Sequence, residues 1–310
     1  MKPIAAVAQT SSVLLDTPAT VQRALGLMAD AARAGAELLV FPEAFIGGYP
    51  KGADFHIYLG GRTPQGRAEF KRYHDAAVSM DGPEIALLAE AAGRHCLHVV
   101  VGIIERDGGT LYCTAVYLGA DGRILGKHRK LMPTALERLV WGFGDGSTLA
   151  AVDTPWGKLG AVICWENYMP MLRMAMYRQR VAIYCAPTAD DRPTWQSTMQ
   201  HIALEGRCFV LSACQHLRRS QFPAEQMHNR LPEAPDTVLM RGGSVIIDPL
   251  GKVLAGPVYD EDALLTAELD LSLIPMSQMD FDVVGHYARP DVFSLQVNTA
   301  AQQAVTLGDA

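Results

Sequence analysis

Cys164 stands inside the run GAVICWENYMP, residues 160–170. An apolar stretch, Leu159 to Ile163, leads into it, and a helix-like stretch begins at Met171. That order predicts a strand, a sharp turn and a helix, with the thiol at the turn. Free backbone N–H groups at a helix start favour a thiolate, which is a nucleophile able to form covalent intermediates. The plain alternative is a small buried hydrophobe. Two further polar clusters weigh against it. Glu43 follows the apolar strand end Leu38–Pro42 and precedes Gly47 and Gly48. A carboxylate held there by proline can face a cleft, and partial burial would raise its pKa toward proton-transfer duty; the alternative is a solvated loop glutamate. Lys130 closes the basic run Lys127–Lys130 and is followed by Leu131, Met132 and Pro133. Lys127 and Arg129 read as a solvated face, whereas an ammonium fixed at 130 would stabilise developing negative charge. Glu137, seven residues on, either orients Lys130, shuttles protons or caps a short helix.

The elements that must carry these groups alternate. Strands are predicted at 4–8, 37–41, 97–104, 159–163, 181–185, 208–213 and 263–269. Helices are predicted at 18–34, 68–80, 83–94, 171–179, 194–205 and 271–278. Two hairpins join them, 111–118 with 123–127 around Asp121-Gly122, and 245–247 with 252–254 around Asp248 to Gly251. Residues 218–236 read as an exposed loop, and the tail after Asp291 shows no hydrophobic face. Hairpins mixed with β-α crossovers imply an α/β fold of mixed sheets stacked on each other with helices outside. No linker interrupts the pattern, so residues 1–294 read as one domain and 295–310 as a C-terminal tail.

Bulk properties exclude several classes. The 310 residues carry a net charge of −6, against the clustered positive charge of a nucleic-acid surface. No apolar run is long enough to span a membrane, and the first ten residues lack the apolar region of a secretory leader. The six cysteines form no CxxC pair, which implies a reduced, cytoplasmic protein without a disulfide framework. The nine histidines include no HExxH, and His95 with His98 would need further partners to hold a metal.

Taken together, the carboxylate, ammonium and thiol in the order Glu43, Lys130, Cys164 resemble the nitrilase superfamily of carbon–nitrogen hydrolases. The matching segments are FPEAFIGGYP at 41–50, HRKLMP at 128–133 and GAVICWENYMP at 160–170. Cys164-Trp165-Glu166-Asn167 is similar to the nitrilase branch rather than the amidase branches, as are residues 137–142, 144–147 and 285–293. The resemblance implies an αββα sandwich whose subunits pair, and hydrolysis of a nitrile to carboxylic acid and ammonia. It implies Cys164 as nucleophile, Glu43 as general base, Lys130 as electrostatic stabiliser and Glu137 as a supporting glutamate, with no metal or organic cofactor. Phe143 departs from the branch, which often carries a polar residue there. The short stretch after Ser294 departs from relatives with long tails linked to spirals, so a homodimer is the expected minimum assembly.

Tyr49, Trp165, Tyr168 and Trp195 lie in or near these segments and are candidate walls of an aromatic substrate pocket, although each residue type is more often core. The run 186–195 resembles hydrolysers of aliphatic and arylaceto nitriles. Two competing readings stand beside a nitrilase. One is an amidase or carbamoylase with the same residues, which Trp165-Glu166-Asn167 argues against. The other is a catalytically silent scaffold, which the intact Glu43, Lys130, Cys164 set argues against.

Overall fold

A computed structural model of the chain describes residues 1–303 and Val305. The expected tail therefore falls partly outside the described residues, at Ala304 and at 306–310. Two mixed sheets face each other. In the first, six strands run in the order β13 (Ala263–Glu268), β1 (Ile4–Gln9), β2 (Leu38–Val40), β3 (His98–Asp107), β4 (Thr110–Leu118), β5 (Ile124–Arg129). In the second, the order is β10 (His216–Arg218), β11 (Val238–Ile247), β9 (Phe209–Cys214), β8 (Val181–Thr188), β7 (Gly157–Ala161), β6 (Val152–Thr154), with β12 (Val253–Tyr259) also on β11.

Strand periodicity explains the layers. In β1, Ala5 and Val7 point into the core between the sheets, while Ala6 and Ala8 point out toward helices. In β8, Ile183 and Cys185 point inward and Tyr184 and Ala186 outward. Helices α1 (Thr17–Arg33) and α3 (Pro83–Arg94) cover the outer face of the first sheet through Val21, Met28, Ile85 and Leu88. Helices α4 (Pro170–Arg178) and α5 (Pro193–Gly206) cover the second through Leu172, Met176, Met199 and Ile202. The result is the expected αββα sandwich.

Local departures from the sequence pattern have physical causes. Helix α2 runs Pro64–Ala76 rather than 68–80, because Thr63 accepts the Gly66 N–H at 3.0 Å and Pro64 opens the first turn. Strands β11 and β12 extend beyond the expected hairpin. Gly242 and Gly243, N-terminal to the expected strand start, lie within β11 at φ of +87° and +90°. A Cβ on Gly242 would stand 2.3 Å from the Gln9 side chain, so glycine is what lets β11 close on β1. The loop 218–236 is mostly exposed as expected, but it buries Phe222 and Met227. Helix α6 spans Leu273–Asp280. No helix among the described residues is long and apolar enough to cross a membrane.

Candidate active site

Strands of both sheets end at one buried polar cluster. Glu43 leaves the end of β2, where Gly102 of β3 admits its backbone: a Cβ at 102 would meet the Pro42 carbonyl oxygen at 2.2 Å. Gln215 donates to the Glu43 carbonyl at 3.0 Å. Lys130 follows β5, and its N–H donates to the Cys113 carbonyl at 2.8 Å. The Lys130 side chain is 0% exposed. Its Nζ donates to Glu43 Oε1 at 2.6 Å and to Glu137 Oε2 at 2.7 Å. It also lies 5.5 Å from the Trp141 ring centroid.

Glu137 sits on a short 3-10 helix, Ala135–Leu139. Its Oε2 accepts the Thr134 N–H at 2.6 Å, a capping contact, as well as the Lys130 ammonium. Oε1 accepts the Tyr49 hydroxyl at 2.9 Å. An ammonium buried between two carboxylates has its charge matched and its donors occupied, the condition under which a buried ion is tolerated.

Cys164 opens a five-residue 3-10 helix, Cys164–Tyr168, at φ 51°. A non-glycine residue in left-handed backbone is held there by its surroundings, and Glu166 and Asn167 do the holding. Glu166 accepts the Ile163 N–H at 2.9 Å and the Leu131 N–H at 2.7 Å, which ties the Cys164 turn to the Lys130 segment. His128 Nε2 completes its shell at 3.1 Å. Asn167 donates to the carbonyls of Val162 at 2.9 Å and Cys164 at 2.8 Å. Thr188, at the end of β8, donates to the Cys164 sulfur at 3.3 Å.

The expectation that a helix start favours the thiolate is corrected here. Burial pushes the Cys164 thiol up and the Glu43 charge adds to it. Lys130, the Thr188 hydroxyl and the Ala189 N–H oppose and do not prevail. A single 3-10 turn has too little dipole to win against desolvation. The resting sulfur is a thiol, so its proton must be removed as it reacts. Glu43 suits that task. Burial raises its pKa, with Lys130 opposing and Glu137 adding. Its Oε1 is occupied by Lys130 and, at 3.5 Å, by the Cys113 thiol. Oε2 has no hydrogen-bond partner among the described residues. For Lys130, burial lowers the pKa, but Glu43, the two thiols and Glu137 raise it further, so it remains an ammonium.

The four candidate wall aromatics separate. Tyr49 lines a cavity of about 600 Å³ together with Glu137, Trp141, Phe55 and Leu136; burial holds its phenol neutral. Cys164 is not among the residues lining that cavity. Trp165 and Tyr168 stand partly exposed on the turn after Cys164, edge to face at 5.8 Å. The Trp165 N–H donates to Asp190 at 2.8 Å, with the Arg192 guanidinium over its ring. Trp195 is corrected to a core residue: it is 1% exposed, beneath Tyr168, and donates to Ser212 at 2.9 Å. Sequence reasoning did not assign Thr188, Cys113, His128, Glu166 or Asn167 a part. Only Glu166 and Asn167 left a signal, as polar residues beside the cysteine inside an apolar run.

Comparison with known proteins gives the family. The model of the carbon–nitrogen hydrolase family matches residues 4–275. An aliphatic nitrilase of Sinorhizobium fredii is 61% identical over 97% of both chains. A bifunctional nitrilase/nitrile hydratase of Lupinus angustifolius is 56% identical, covering 99% of this chain and 89% of that one. Saccharomyces cerevisiae Nit3, a crystal structure from branch 10 of the nitrilase superfamily, shares the fold with a TM-score of 0.71 at 22% identity, over 92% of this chain and 96% of that one. The family match and these identities establish that the chain belongs to the carbon–nitrogen hydrolases and, within them, to the nitrilase branch.

Proposed function

We infer that the chain hydrolyses organic nitriles to carboxylic acid and ammonia. Cys164 acts as nucleophile, Glu43 as general base, Lys130 as electrostatic stabiliser and Glu137 as the carboxylate that positions Lys130. The observation that carries this reading is a buried Glu43 with one oxygen held by Lys130 and the other unpartnered, acting electrostatically on the Cys164 thiol. The names of the relatives, an aliphatic nitrilase and bifunctional nitrilase/nitrile hydratases, supply the substrate class.

The chemistry follows from these positions. The sulfur bonds to the nitrile carbon as Glu43 takes the thiol proton and passes it to nitrogen, giving a thioimidate. Water adds to the carbon with Glu43 again as base, and the tetrahedral adduct expels ammonia to leave a thioester. A second water releases the acid and restores the thiol. One nitrile and two waters thus become one acid and one ammonia. The role assigned to the Lys130 ammonium is to offset negative charge that develops on the substrate atoms, a contribution of about 10²–10³ in rate for such donors. If the adduct expels sulfur instead of ammonia, the amide leaves, the second product that a nitrile hydratase name denotes.

Matched nitrile and amide pairs, with ammonia and amide both quantified, test the reading. Aliphatic and arylaceto nitriles are expected to release ammonia at least tenfold faster than the corresponding amides. Turnover of the amides with inert nitriles would instead make the chain an amidase.

A further inference from the structure

Loops 50–57 and 222–231 meet beside helix α2, and none of the groups they bring together is used in the chemistry above. Phe55 and His56 adopt left-handed backbone, at φ 51° and 48°. Asp54 Oδ1 accepts the His56 N–H at 2.9 Å, a turn that sets the two side chains next to each other. His228 arrives from the second loop, its ring 4.4 Å from that of His56 and its Nδ1 2.8 Å from Asp54 Oδ1. One donor atom from each of Asp54, His56 and His228 lies within 4.8 Å of the other two.

Two features point to a cation here. The donors are two imidazoles and a carboxylate, a set that suits zinc and its neighbours. Behind them lies Glu69, 6% exposed. Its Oε1 is 3.2 Å from His56 Nε2 and accepts the His228 N–H at 2.9 Å, while its Oε2 has no hydrogen-bond partner. A carboxylate against one ring nitrogen is the arrangement that fixes an imidazole for ligation through the other. Arg230 reaches Asp54 Oδ2 at 3.3 Å, but its side chain is 83% exposed and free to turn into solvent. Zinc bonds of ~2.0–2.2 Å set tetrahedral ligand atoms about 3.3–3.6 Å apart, so small side-chain rotations close the trio.

We propose that Asp54, His56 and His228 form a zinc-class divalent metal site that clamps the two loops together, with Glu69 as the carboxylate behind His56. Asp54, Phe55 and Arg230 line the cavity that also holds Tyr49 and Glu137, so the ion braces its outer wall. The site stands independently of the nitrile reading.

Calorimetric titration of the chelator-treated, tag-free full chain with zinc chloride tests it. One equivalent is expected to bind. His56→Ala and His228→Ala are each expected to weaken binding at least tenfold, and Glu69→Gln by about 10–100-fold. His228 is 47% exposed, so its alanine variant should keep a wild-type circular dichroism spectrum and separates ligation from misfolding. Cys164→Ala and Cys96→Ser should retain the equivalent. No binding, wild-type affinity in both histidine variants, or loss of binding in either cysteine variant would overturn the site.

Discussion

At the scale of single residues, the site works by desolvation. Burial raises the pKa of both the Cys164 thiol and the Glu43 carboxyl, because the water that would stabilise each negative charge is excluded. As the proposed general base, Glu43 must act as a carboxylate. Its raised pKa places the acid limb of kcat/KM above the ordinary glutamate value of about 4.3, with activity falling as pH drops through it. A limb at or below the ordinary value would remove Glu43 from the base role. Glu43→Gln is expected to lower kcat by about 10²–10⁴ while the protein remains folded by circular dichroism. A fully active variant would contradict the assignment.

At the scale of elements, two close fits position these groups. Gly102 lets β3 lie against the Pro42–Ala44 backbone, and a Cβ there would stand 2.9 Å from Glu43 Cα. Gly102→Ala is expected to cost about 1–3 kcal/mol by overpacking and to lower kcat/KM more than tenfold, since the backbone that moves carries the base. A urea melt and a rate assay read both, and unchanged kinetics would refute the fit. Glu166 binds the Cys164 turn to the Lys130 segment. Glu166→Ala strands the Ile163 and Leu131 N–H groups, each costing about 1–3 kcal/mol, and should lower stability and rate together. Strand and helix order was legible in the sequence because period-2 and period-3.6 patterns record burial directly. The candidate site was legible as three motif segments, whose residues Glu43 and Lys130 the fold brings into contact. What stayed hidden depended on long-range packing: Gly242 inside β11, Trp195 under Tyr168, Thr188 against the sulfur, and the net pull on the thiol. His56 and His228 are brought together only by folding, so spacing along the chain gave no sign of their pairing.

For the whole molecule, the sandwich holds the proposed catalytic groups at the ends of both sheets, so the proposed chemistry depends on the sheets keeping their register. We propose residues 1–294 as the folded unit. Leu295 and Val297 line a surface cavity of about 780 Å³, yet both are exposed. A chain ending at Ser294 should therefore lose no more than about 1 kcal/mol, roughly 2–4 °C in Tm. A much larger drop would place the tail in the fold. We also propose a homodimer, for which light scattering should read twice the 33.6 kDa chain mass; a monomer at micromolar concentration would contradict it. The proposed chemistry turns on one bond, from the Cys164 sulfur to the nitrile carbon. Intact-mass and peptide mass spectrometry of protein quenched during nitrile turnover measures this directly. An adduct of acyl or imidoyl mass on the Cys164 peptide, absent in Cys164→Ala, is expected. Ammonia release by Cys164→Ala, or an adduct located on Cys113 instead, would contradict the account.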